Sequence, residues 1–422
     1  MLRPGHASGR SRSDTRSLGG VGRAAAARSS TVRSGRAPRT YHAVVPVPVV
    51  LALAYHTWAD GIERGMSWSA DQIADQLSKD RTVPTLVVAN PLRSQLARLR
   101  QRSLAYDAGF PEDHSRLLLQ PRRLRRHDSF RGASSFRAYA RLDQWLRRRA
   151  YESGGHRPVL VSCHPVLAAV ADRSSWADVV YYGWDDWLSY PPFRAAHALF
   201  SECYAQMAAR DVNVIGVTQA IVDRIGAPRG TVVPNGIWAA DYDRLGSVPT
   251  WFADLKRPIA LYAGSLEERI DVAALDQCAR ALPDWTIVLV GPMQQPTLFA
   301  RLAELPNVVV RGFELRPSVL AMMAAADVCL IPHRRTPMSV AMSPLKLYEY
   351  LGAGAAVVAT DLPPMRGVSE RCLLIEPGDP LAPAVLAAAE LPAASADEVA
   401  AFRRQHDWSQ RYRVWRAAAL GG

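Results

Sequence analysis

An α/β protein with two doubly wound, Rossmann-like domains, each built on a parallel sheet, is what this sequence predicts, and three observations carry the expectation. From Val47 onward, short β-branched runs alternate with longer amphipathic stretches, the pattern of parallel strands covered by helices. The 422 residues suffice for two domains of ordinary size, and no segment repeats at the period of a solenoid or propeller. The third observation is the stretch MSPLKLYEYLGAGAAVVAT at 342–360, a proline-broken loop leading into a short helix and a buried strand.

Residues 1–40 hold nine Arg and one Asp amid Ser, Gly and Ala, too little apolar surface to offset ordering entropy, and are expected to be a disordered tail. A first domain over 41–240 takes the strands VVLALAY, TLVVAN, PVLVSC, DVVYYG and NVIGVT. The polar segment 241–257 reads as a linker. A second domain over 258–400 takes PIALYAG, TIVLVG, VVVRG, VCLIP, AVVAT and CLLIE, and 401–422 carries an aromatic and apolar stripe at helical spacing. The longest apolar run, Ala43 to Tyr55, is too short to span a bilayer and contains Pro46 and Pro48. It reads as the first buried strand rather than a signal peptide.

The net charge of +12 is concentrated, with fifteen Arg against five acidic residues in 93–149. Nucleic acid is disfavoured as a partner, because no helix-turn-helix, zinc-finger or RNP-like aromatic pattern accompanies those arginines. RAYARLDQWLRRRAY has apolar and aromatic residues at helical spacing, so this helix either rests on an anionic membrane surface or packs on its own domain. Five scattered cysteines in apolar runs read as buried thiols of a reducing, cytoplasmic compartment, and no His or Cys spacing suggests a structural metal.

In 342–360, Ser343 and Pro344 would form the turn, and the backbone from Leu345 would offer unpaired N–H donors to phosphate oxygens. Lys346 adds a point charge, and Glu349 is acceptor-only when ionised, which suits paired ribose hydroxyls. The bland alternative is an ordinary helix–strand unit with a solvated Lys and Glu. The segment resembles the donor-binding motif of GT-B glycosyltransferases, specifically the large family whose motif spaces two glutamates with seven residues between them, bacterial envelope and teichuronic-acid-type polysaccharide transferases among them. The resemblance extends over YAGSLEERIDVAAL, WTIVLVGP, LPNVVVRGF, MMAAADVCLIPH and IEPGDP, and upstream over NVIGVTQAIVDRIG and TVVPNGI. It departs at Ala341, where many members carry the first glutamate, and at Ser265.

The resemblance implies two domains facing across a cleft, with the terminal helix crossing back onto the first. It implies a nucleoside-diphosphate sugar as co-substrate, with no cofactor or metal. Gly264, Ser265 and Arg269 would then lie at the diphosphate, Phe313 at the base with core packing as the alternative, and Gly61 in a glycine-bearing loop against the donor phosphates. The acceptor would be a glycan, a lipid-linked envelope intermediate or a small molecule.

Strand-end loops are where ligands of doubly wound sheets bind. Cys163-His164-Pro165 and Gly183-Trp184-Asp185-Asp186-Trp187 lie in such loops, so His164, Asp185 and Asp186 are candidates to orient an acceptor hydroxyl or take its proton. A structural histidine and a helix N-cap are the alternatives for His164 and Asp186. Asp-Tyr-Asp at 241–243 imitates a metal motif but falls in the linker. The expected activity is sugar transfer with retention of configuration, by a protein in the cytoplasm or at the inner face of the membrane. A sugar-nucleotide epimerase and a catalytically silent binding module remain the alternatives.

Overall fold

The computed structural model describes residues 47–95, 109–123, 132–154 and 157–421. The tail at 1–40 and part of the arginine-rich stretch lie outside them. Fifteen strands follow in chain order: β1 Val49–Ala52, β2 Leu86–Ala89, β3 Arg93–Ser94, β4 Arg116–Leu119, β5 Arg122–Arg123, β6 Val159–Ser162, β7 Val179–Gly183, β8 Asn213–Gly216, β9 Gly230–Val232, β10 Ile259–Ala263, β11 Thr286–Val290, β12 Val308–Arg311, β13 Val328–Ile331, β14 Ala356–Thr360 and β15 Cys372–Ile375.

Two all-parallel sheets form the frame. The first runs β4-β2-β1-β6-β7-β8-β9 and the second β12-β11-β10-β13-β14-β15. Strands such as VVLA and IALYA are buried along their whole length, which is why they read as continuous apolar runs. In each sheet the chain order reverses beside the first strand to form, between β1 and β6 and between β10 and β13, so each sheet has a ligand crevice at that point.

All eleven strands expected from the pattern form. β4 and β9 escaped it because β4 opens on an arginine and β9 is the three-residue GTV, so neither is a clean apolar run. β4 opens on Arg116, which is nonetheless buried, its Nε donating to the Ser78 carbonyl at 3.1 Å and Nη2 to that of Asp80 at 2.6 Å.

The segment 241–257 is not a free linker. It contains the end of a 3-10 turn, Ala239–Tyr242, and a short helix, Thr250–Ala253, and it buries Tyr242 and Phe252 in the core of the second half. The terminal segment is likewise divided. Helix Ala396–Gln405 packs on the second half, and the crossover is the separate helix Trp408–Leu420. The break falls at His406-Asp407, where the chain runs beside its earlier passage: Ile237 N–H donates to the His406 carbonyl at 3.0 Å and Trp408 N–H to that of Ile237 at 2.9 Å. Gly236 makes this possible, since a Cβ there would stand 2.8 Å from the His406 carbonyl oxygen.

Beyond the break, Trp415 is fully buried in the first core, edge-on to Tyr182, while Tyr412 Oη and Arg416 Nε both donate to Asp80 Oδ2, at 2.8 and 2.9 Å. Helix Gly132–Glu152 turns Tyr139, Leu142, Leu146 and Ala150 into the same core, so its apolar stripe packs on its own domain, and Arg137, Arg141 and Arg148 are among the residues left exposed. No helix among the described residues is long and apolar enough to cross a membrane.

Trp415→Ala removes a fully buried side chain that the crossover helix contributes to the first core. It should cost about 3–5 kcal/mol in urea unfolding, whereas Val414→Ala, on the exposed face of the same helix, should cost under about 1 kcal/mol.

Candidate active site

The site in the second half starts from two glycines. Gly264 follows β10 with φ +146° and Gly291 follows β11 with φ +145°, conformations that L side chains rarely adopt. A Cβ on Gly291 would stand 2.2 Å from the Gly264 carbonyl oxygen, and one on Gly264 would stand 2.0 Å from Lys346 Cε. Bare backbone at the end of β10 is therefore the bed on which the Lys346 side chain lies, its Nζ 5.5 Å over the Tyr262 ring.

Lys346 sits in the first turn of helix Leu345–Gly352, which starts from Pro344 with no side chain capping it. Its uncapped N–H groups and the ammonium form one positive corner. Burial, with Arg269 nearby, lowers the lysine pKa to about 8.

Arg269 comes from the loop after β10 and pairs with Glu267, while its Nη1 lies 2.9 Å from Met342 Sδ. In that loop the Ser265 carbonyl accepts from Tyr262 Oη at 3.1 Å, so Ser265 contributes backbone rather than a hydroxyl contact. Ser343 is drawn the other way: its Oγ accepts from Asn235 N–H at 3.1 Å and its carbonyl from Asn235 Nδ2 at 2.8 Å. With Thr218 Oγ1 donating to the Ala341 carbonyl at 2.7 Å, residues of the first half clamp the whole turn.

Glu349 is 7% exposed and held by Arg316, Nη1 to Oε1 at 2.5 Å. Burial acting alone would lower the pKa of Arg316, but Glu349 and Asp241 outweigh it and hold the guanidinium protonated. Asp241, from the segment that imitates a metal motif, accepts from Arg316 Nε at 3.0 Å and belongs to this ion-pair chain. Phe313 is 74% exposed beyond β12, which removes core packing as its role; beside it the Arg311 guanidinium lies over Trp251 at 4.9 Å.

The first half divides its candidates. Asp185 is half-buried in the loop after β7, where burial, with Asp186 adding, pushes its carboxyl up to about 6 against the pull of the Asp186 N–H and of Arg269. The charge of Arg269, from the second half, is felt at Asp185, and Tyr190 feels both together with Glu267.

Asp186 is not available for chemistry. It is 1% exposed, paired with Arg224 at 2.5 Å, and accepts from Ser189 Oγ and Leu188 N–H to close its turn. His164 is also structural. Its Nδ1 accepts from Val166 N–H at 3.2 Å to cap helix Pro165–Val170, its Nε2 meets Tyr139 Oη at 2.9 Å, and burial lowers its pKa to about 3. Gly61 lies inside helix Trp58–Glu63 and packs on Asp71, 3.1 Å from where its Cβ would be, so it forms no phosphate loop; the Thr57 capping box starts that helix too early for one.

Sequence reasoning passed over several residues at this site. Arg316 is 33 positions from Glu349 and no spacing rule links them. An aromatic group on the first half was visible only in part, as the Trp184 of the quoted loop. Trp68 stacks on Trp184 at 5.6 Å, and His56 meets Trp68 edge-on at 4.2 Å. Tyr55, with φ +65°, turns the chain after β1 to place His56 there.

Arg316→Met leaves the Glu349 carboxylate buried without its cation and should cost about 2–4 kcal/mol in urea unfolding. Adding Glu349→Gln should recover more than half of that loss, a coupling that a double-mutant cycle reads directly.

With this geometry in place, the chain can be set beside known proteins. The family profile described as Glycosyl transferases group 1 matches residues 257–391, the interval that holds Gly264, Arg269, Lys346 and Glu349. A Bacillus subtilis (strain 168) protein, whose name describes it as a teichuronic acid biosynthesis glycosyltransferase, TuaH, is 35% identical over 104 residues, 24% of this chain. The match spans about a quarter of that relative's length, 26%.

Among solved structures, an alpha,alpha-trehalose-phosphate synthase (UDP-forming) from Burkholderia vietnamiensis superposes with a TM-score of 0.61 at 14% identity, over 89% of this chain and 99% of that one. AviGT4, a glycosyltransferase involved in avilamycin A biosynthesis, superposes with a TM-score of 0.50 at 15% identity, over 89% and 99%. At such identities the likeness is one of fold. The chain has the GT-B fold, and its residues 257–391 match the family described as Glycosyl transferases group 1.

Proposed function

We propose that this protein is a glycosyltransferase that moves a sugar from a nucleoside-diphosphate donor to a hydroxyl acceptor, the acceptor being a glycan or a lipid-linked envelope intermediate. The observation that carries this reading is the positive corner made by Lys346, Arg269 and the uncapped helix start, placed against side-chain-free backbone at Gly264 within the matched interval. An anion with several oxygens fits such a corner. Glu349, fixed by Arg316, would hold the ribose, and the exposed Phe313 offers a face to the base.

In the transfer, the bond from the anomeric carbon to the diphosphate oxygen breaks and the acceptor oxygen bonds to that carbon. The diphosphate leaves with the electron pair, and Lys346, Arg269 and the helix N–H groups would stabilise the growing charge without a bound metal. The acceptor's proton would pass to Asp185, a strand-end carboxylate whose own hydrogen bond comes from the Asp186 N–H. Retention of configuration is part of the proposal on the strength of the motif alone. Trp68, 36% exposed where it packs on Trp184, offers apolar surface to an acceptor sugar ring. A cytoplasmic protein whose Arg137, Arg141 and Arg148 face meets anionic headgroups would bring a lipid-linked acceptor to that cleft.

The first test is a thermal-shift panel of UDP-, GDP-, ADP- and TDP-sugars. One donor should raise the melting temperature by several degrees in the parent and by less than about 1 °C in Lys346→Ala and Glu349→Ala. Binding without donor hydrolysis or transfer would favour a silent sugar-nucleotide module, and no shift with any donor would overturn the donor site.

The pH dependence follows from two opposed shifts. Asp185 must be ionised to accept a proton, which it is above about 6; Lys346 must be charged to meet the diphosphate, which it is below about 8. The kcat/KM profile should therefore be a bell with its maximum near pH 7. Asp185→Asn should lower it by roughly 10²–10⁴ and abolish the acidic limb, and Lys346→Ala should lower it by roughly 10²–10³ and abolish the alkaline limb.

A further inference from the structure

His333 follows Pro332 at the end of β13, beside the point where the order of the second sheet reverses. The backbone around it is pinned to the Arg269 loop: Arg334 N–H donates to the Arg269 carbonyl at 2.7 Å and Asp271 N–H to that of Pro332 at 2.8 Å. The imidazole is 1% exposed and stands edge-on to Tyr262, the ring beneath Lys346, with centroids 6.3 Å apart. Among the described residues, neither Nδ1 nor Nε2 has a hydrogen-bond partner. His164, equally enclosed, uses both of its nitrogens. A ring with two unpaired polar atoms carries a desolvation cost that packing alone does not explain.

His333 also lines a pocket of about 210 Å³ beyond the ends of β13, β14 and β15, where Asp271, Arg334, Thr360 and Glu376 give the wall the mixed polarity that a ring of hydroxyls needs. We propose that this pocket takes the sugar ring of the donor, and that His333 exchanges hydrogen bonds with one of its hydroxyls. The inference rests on the donor-site reading above and deepens it.

Burial, reinforced by Lys346 and Arg269, holds His333 neutral, so one ring nitrogen donates and the other accepts. That pairing matches a hydroxyl, which does both. It does not match a phosphate oxygen, which only accepts and already has two cations and a helix N-terminus to meet it. Ala341, buried with its carbonyl tied to Thr218, offers no polar side chain for the task. His333 is therefore a specificity group for the sugar, separate from the residues that hold the nucleotide.

The test is calorimetric binding to the full chain of UDP, GDP, ADP and TDP alone, of the matching nucleoside-diphosphate hexoses, and of their monodeoxy analogues. The parent is compared with His333→Phe and His333→Gln. The bare nucleotide should bind all three proteins within about twofold, which also serves as the folding control. The sugar should tighten binding to the parent by roughly tenfold, a gain lost in His333→Phe and partly kept in His333→Gln, whose amide both donates and accepts. One deoxy analogue should lose affinity for the parent and no more for His333→Phe.

Full retention of the sugar gain in His333→Phe, or equal weakening of nucleotide and nucleotide-sugar, would overturn the inference and leave His333 a packing residue. If no nucleotide binds the parent at all, the donor-site reading falls, and this inference with it.

Discussion

The contact on which the site depends is the one between Lys346 and the backbone at Gly264. A lysine side chain laid against peptide atoms at a strand end needs a position with no Cβ, and the second glycine, Gly291, is needed because the neighbouring strand end approaches the first within the reach of a methyl group. The charge so placed is held in poor conditions: burial depresses its pKa and Arg269 repels it, with only Glu349 and Glu267 as more distant compensation. Such an arrangement destabilises the empty protein and becomes favourable when an anion arrives.

Everything around that contact serves to keep it in register. The helix that carries Lys346 is anchored at its start through Ser343 and Ala341 to Asn235 and Thr218 of the first half, and through the Glu349 carbonyl to Tyr242. Asn235 in turn neighbours Gly236, where the chain's two passages between the halves run side by side. The turn that would receive the diphosphate is thus built at the same joint that fixes the two halves together. A change in their closure would be transmitted to the phosphate corner through two or three short hydrogen bonds, without any longer pathway.

What the sequence made legible follows the physics of each feature. Strands buried on both faces leave a continuous apolar run and were readable, and the half-buried edges β12 and β15 were readable from the apolar runs VVV and CLLI, while β4 and the three-residue β9 were not. The placement of Gly264, Lys346 and Glu349 was legible because it lies in local order, a glycine closing a strand and charges along a short helix, and their roles belong to the proposal. Tertiary partners were not. Nothing in the local sequence distinguishes Asp185 from Asp186, yet Arg224 approaches one and leaves the other to burial. His164 looked reactive because it ends a strand, whereas its role is set by the Val166 N–H and Tyr139 Oη that occupy it. Asp241 was set aside as part of a linker, and its value appears only when Arg316 joins it to Glu349.

That ion-pair chain explains how an acidic residue can be buried beside a site whose other groups are cationic. Left alone, Glu349 would be drawn toward Lys346 and Arg269, where it would neutralise the corner that a diphosphate needs. Arg316 holds its carboxylate from the far side, and Asp241 balances Arg316, so the acceptor oxygens stay oriented while the positive charge of Lys346 is left for the ligand. One face of a single helical turn can then present a cation and a fixed carboxylate within four residues. A nucleotide demands the same polarity, with phosphate at one end and ribose hydroxyls at the other.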